Sequence, residues 1–149
     1  MSEYKLIEEI IRLSVADTWD EAKLEWQLAE IYHQKEPDTF ICGHFPINEI
    51  CVLHNKRNNL TTEVGNICVK KFLGLPSDLI FQALRRIAKD ETRALNAEAV
   101  DHAFRKRWIN DWEKNFYFDT IRKRNLSNKQ LAKRVELNRK VLNRTKRVK

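Results

Sequence analysis

The sequence predicts a mainly α fold with a small zinc-bound β-hairpin unit, an α+β arrangement. Three observations carry this. Apolar residues recur at helical spacing along most of the 149 residues. The one extended, turn-punctuated stretch lies at 39–64. All three cysteines and two of the four histidines fall between Cys42 and Cys68, a concentration of sulfur and imidazole that suits a structural zinc site.

Residues 3–14 form the first expected helix, with Leu6, Ile10 and Leu13 on one face beside Ile7 and Ile11. Thr18 opens a second, with Glu21 completing a capping box. Trp19, Ala22, Trp26, Ala29 and His33 continue it at helical spacing as a core stripe, and Pro37 stops it. Residues 39–64 read as strands. Glu49 to His54 is rich in β-branched and apolar residues, and Asn58-Asn59 turns the chain into Leu60–Val64. Gly65 breaks that strand, and Ile67–Leu73 is a short helix ended by Gly74-Leu75-Pro76.

The remainder is helical. Ser77 caps Asp78–Lys89, with Leu79, Ala83 and Ile87 on one face. Leu95 or Asn96 starts the next helix, and aromatics at Trp108, Trp112 and Phe116 extend its period. The spacing leaves open whether this is one helix or two. Asn125-Leu126-Ser127 is a break, and Ser127 with Gln130 forms another capping box. Leu131, Val135, Asn138 and Leu142 line one side of the last helix. The domain reading is a helical body at 1–119, carrying the zinc-binding β unit at 39–74, then a basic helix or tail at 120–149.

Charge is segregated. Residues 1–40 carry 4 Lys/Arg against 10 Asp/Glu, whereas 120–149 carry 12 against 1. A basic end of this size points to an anionic partner, most commonly DNA or RNA. The expected contacts are Arg122, Lys123, Arg124, Lys129, Lys133, Arg134, Lys140 and Arg144. A second basic group, Lys56, Arg57, Lys70 and Lys71, lies near the cysteines. No apolar run approaches the roughly 20 residues of a membrane span. The N-terminus lacks a signal-peptide pattern, so a reducing, cytoplasmic location is expected, where an odd cysteine count suits metal ligands or free thiols.

Zinc needs three or four converging ligands. Cys42 and His44, two apart, point to one side of a strand or knuckle. Cys68 falls in the first turn of a helix, where the local field favours a thiolate. Cys51 and His54, three apart, face opposite sides of a strand. Cys51 is the preferred fourth ligand, His54 the next choice and His33 the third. The alternative is three cysteines serving as small apolar core residues.

The string Cys42-Gly43-His44-x-Pro46-Ile47, Cys51-x-Leu53-x-Asn55, Val64-Gly65-x-x-Cys68-Val69-Lys70-Lys71-Phe72 resembles small, mostly uncharacterised zinc-finger-like proteins of bacteria and their phages, over about residues 40–74. The resemblance implies a treble-clef-like centre: a knuckle, a hairpin and a helix whose start supplies ligands. The chain departs from it where Phe40 stands in place of a frequent cysteine, and where Cys68 alone serves the helix start.

Catalytic signatures are absent: no P-loop, HExxH, nucleophile elbow or deaminase His-x-Glu pair. The expected function is therefore non-enzymatic, a zinc-stabilised nucleic-acid-binding or regulatory protein whose basic C-terminal helix contacts phosphates. The alternative is a phage or mobile-element adaptor or inhibitor that binds a host protein or ribonucleoprotein complex. Its motivation is the acidic first helices and the aromatic run Trp108, Trp112, Phe116 and Tyr117.

Overall fold

A computed structural model describes residues 2–38 and 47–147. Two compact units make up the chain, residues 1–78 with 147–149, and residues 79–146. The expected division at 119/120 runs through the interior of the second unit.

In the first unit, α1 (Ser2–Leu13) buries Leu6 and Ile10 completely, as its apolar period predicts. A short helix, α2 (Trp19–Ala22), continues as a 3-10 turn to Glu25. The chain then becomes a strand, β1 (Trp26–Asp38), and the expected helix does not continue. The reason lies in the sheet register. β1 pairs antiparallel with β2 (Ile47–Asn55): Trp26 faces Asn55, Leu28 faces Leu53, Glu30 faces Val52 and Ile31 faces Cys51. Ala29 is the extra residue of a bulge, and it shifts the side-chain phase by one. Trp26 and His33, seven residues apart, therefore share one face of the sheet, the separation of two helical turns, and in sequence this imitates a helical stripe.

β2 pairs on its other side with β3 (Thr61–Gly65), giving the order β3-β2-β1, with the two-residue β4 (Lys146–Arg147) beside β1. The β2–β3 turn uses Asn59 at φ 64°, and the Asn55 carboxamide oxygen accepts from the N–H of Arg57 and Asn58. After Gly65, α3 (Asn66–Cys68) runs into a wider turn through Leu73, closed by Gly74 in the left-handed region at φ 63°.

The second unit is helical: the body of α4 (Ser77–Lys89), α5 (Ala97–Arg105), α6 (Asp111–Thr120) and α7 (Asn128–Thr145). Its core holds Phe81, Leu84, Ile87, Val100, Tyr117, Leu137 and Val141. Asn96 caps α5 by accepting from the Ala99 N–H. The aromatic run is two helices, not one. Arg107 takes φ 62° after α5, its N–H bonding Phe104 O while the Trp108 N–H bonds Ala103 O. Asn110 and Glu113 then form a capping box that starts α6. The Ser127–Gln130 box opens α7 as expected. The buried row of α7 is Arg134, Leu137, Asn138, Val141 and Thr145. Leu131, Val135 and Leu142 are only half-buried, so the inward face is rotated from the expected one.

Candidate metal and nucleic-acid sites

β2 carries Cys51 inward between Glu49 and Leu53, and α3 places Cys68 one turn beyond Gly65. Both thiols are fully buried and neither forms a disulfide. Asn66 organises this corner. Its carboxamide oxygen accepts from the Ser77 hydroxyl at 2.7 Å and lies 4.0 Å from Cys51 Sγ. Its amide nitrogen donates to Glu49 at 3.2 Å and to Asp78 at 3.3 Å. Burial pushes the Cys51 thiol up to about 12, against the Ser77 hydrogen bond. At neutral pH a thiol so placed keeps its proton unless a cation replaces it.

Cys42 and His44 lie outside the described residues. Among the described residues, no three His, Cys, Asp or Glu side chains converge to hold a metal. His54 lies on the sheet face opposite Cys51, with Nδ1 3.3 Å from the Gln27 amide. By strand phase His33, opposite Glu49, shares the Cys51 face instead. Of the two alternative imidazoles, His33 is thus the better placed. The two described cysteines have the donor chemistry zinc takes, and both are buried.

The expected basic contacts divide by environment. Arg134 is interior and is corrected from a phosphate contact to a structural residue: its guanidinium donates to Thr120 O at 2.5 Å and lies 5.8 Å from the Tyr117 ring centre. Lys133 and Lys140 both reach the buried Glu113 carboxylate, at 3.4 and 3.3 Å. Burial opposes the Glu113 charge, yet the Asn110 N–H and the two lysines hold its pKa below the ordinary value. Near the cysteines, Arg57 pairs with Glu25 at 3.8 Å and Lys70 with Asp78 at 3.3 Å. Lys56 and Lys71 are exposed. Arg122, Lys123 and Arg124, in the α6–α7 turn, and Lys129 and Arg144 on α7, are exposed and make no ion pair among the described residues.

Sequence reasoning missed the structural hubs: Asn66 at the corner, Asn138, which accepts from the Tyr117 hydroxyl at 2.7 Å and donates to Glu91 O and Arg93 O, and Glu25. A groove lined by residues at the start of α5 and the end of α6 was invisible in the sequence, because its residues come from two distant segments. Comparisons with protein-family models, curated proteins and solved structures give no match.

Proposed function

We propose that the protein is a zinc-stabilised nucleic-acid-binding protein of the cytoplasm, acting by binding rather than catalysis. In this reading the first unit, with the treble-clef-like centre, holds the metal through Cys42, His44, Cys51 and Cys68, and the second unit contacts phosphates. The observation that carries it is the second unit's charge. Residues 79–146 hold 18 Lys/Arg against 8 Asp/Glu, net +10, while the rest of the chain is net −3. Exposed cations without carboxylate partners keep their charge available to phosphates, and each such contact releases a condensed counterion. Arg122, Lys123, Arg124, Lys129 and Arg144 meet this condition; Lys56 and Lys71 are secondary.

Fluorescence anisotropy with a labelled oligonucleotide across a salt series tests it. Affinity is expected to fall about a thousandfold between roughly 50 and 200 mM salt. Replacing Arg122, Lys123 and Arg124 by Ala should reduce the salt slope by about 2 to 3, at 0.7–0.9 per phosphate contact. No binding at the low-salt end removes the reading.

One observation favours the adaptor reading. Trp112 is 61% exposed and stacks on Phe116, with ring centres 5.5 Å apart and planes 13° from parallel. An exposed, pre-ordered indole is a typical anchor for a protein partner, and such an interface would persist at salt concentrations that dissociate phosphate contacts.

A further inference from the structure

Within the second unit a groove of about 850 Å³ is lined by Leu95, Asn96 and Glu98 at the start of α5 and by Phe118, Ile121, Arg122 and Lys123 at the end of α6. Its size falls in the range of small-ligand clefts. Phe118 is 36% exposed, a large aromatic ring left partly open at the end of its helix. Arg122 and Lys123 stand exposed beside it. Asp119 and Glu98, both exposed, also line the groove.

We infer that this groove takes one unpaired nucleotide of a single strand, the base against Phe118 and the phosphate on Arg122 and Lys123. The inference rests on the nucleic-acid reading and deepens it from phosphate attraction to selection of single strands. Three features converge on this occupant. The cations are unpaired among the described residues, so an incoming phosphate displaces only water and counterions. An aromatic face beside a basic track is the arrangement by which proteins hold single strands, because every base has a π face while a duplex keeps its bases stacked inside. The carboxylates match the other edge of the ligand: bases carry amino and imino N–H donors, which Glu98 and Asp119 can accept. A purely anionic ligand such as free phosphate would gain nothing from Phe118 and would meet repulsion from both carboxylates.

The test uses the full chain with a labelled mixed-sequence single-stranded 12-mer and the corresponding duplex, at low salt. The proteins are wild type, Phe118→Ala, Phe118→Leu and the double variant Arg122→Ala/Lys123→Ala. Phe118→Leu keeps apolar volume without the π face, so it separates stacking from packing if the alanine variant folds poorly. Loss of stacking is expected to weaken single-strand binding between about five- and a hundredfold in both Phe118 variants. Duplex binding should stay within about twofold, and the double variant should weaken both ligands. If Phe118→Leu binds the single strand like wild type while the double variant weakens both ligands, phosphate contact stands and the nucleotide groove is overturned. Equal weakening of single strand and duplex by Phe118→Leu overturns it as well. If wild type binds neither ligand, the nucleic-acid reading itself fails, and the inference falls with it.

Discussion

Glu25 shows how much one side chain can hold together. Only 4% of it is exposed, and its carboxylate accepts from the N–H of Val15 at 2.8 Å, the N–H of Ala16 at 2.7 Å and the Asn55 amide at 2.9 Å. It thereby ties the segment after α1 to the end of β2. Burial works against its charge, but these donors and Arg57 outweigh it and leave its pKa below the ordinary carboxylate value. A lowered folded-state pKa stabilises above the unfolded value and is lost as pH falls through the folded one. Glu25→Gln presents a donor where an N–H already donates, so it should cost about 2–3 kcal/mol at pH 7. That deficit should begin to shrink below about pH 4.3, where the unfolded chain's carboxyl takes up a proton, and should be lost as pH falls through the lower folded-state pKa. Urea midpoints of both proteins at neutral and acid pH measure it; an equal deficit at both would show that packing, not charge, is what Glu25 supplies. Residue identity alone did not reveal this role. In the same way Arg134 counts as one more cation in the sequence, and only the fold shows that its guanidinium serves Thr120 and Tyr117 in the interior.

At the scale of elements, periodicity was readable where the local rules were undisturbed and failed where one residue broke phase. The β2 and β3 strands, the Asn58-Asn59 turn, the Gly74 stop and the Ser127 box follow from propensity and turn chemistry, and the structure has them. β1 was hidden by the bulge at Ala29. The α5–α6 break was hidden because the left-handed position after α5 is occupied by Arg107 and not by glycine. An L-residue with a long side chain carries a cost there that glycine avoids. The bonds from Arg107 N–H to Phe104 O and from Trp108 N–H to Ala103 O, with Trp108 edge-on to His102 at 5.5 Å, hold the turn despite it. Arg107→Gly is therefore expected to stabilise by about 0.5–1 kcal/mol, a rise of roughly 2–4 °C in Tm. Thermal unfolding followed by circular dichroism tests this. A lower Tm would mean that the arginine side chain contributes more than its backbone costs.

For the whole molecule, the sequence showed that acidic and basic residues separate along the chain, but it placed the boundary too late. The structure puts it at 78/79, because α6 and α7 are joined through Tyr117 and Asn138 and belong to one unit. All three cysteines fall in the other unit. This division makes zinc testable without an activity assay. Structural zinc contributes about 10–16 kcal/mol in zinc-finger peptides, more than most domains have in total stability. If Cys42, His44, Cys51 and Cys68 hold one zinc, its removal should unfold the first unit, while the second, whose core of Phe81, Val100, Tyr117 and Leu137 contains no sulfur ligand, keeps its protection. Elemental analysis of protein purified without added metal should give about one zinc per chain, lost in Cys42→Ser and in Cys68→Ser. Hydrogen exchange after chelation should then show amides of β1, β2, β3 and α3 exchanging fast and those of α5, α6 and α7 unchanged. Metal-free wild-type protein with the sheet fully protected would instead make Cys51 and Cys68 packing residues, small and apolar in a closed core. The basic second unit would then have to account for function without a metal-held partner.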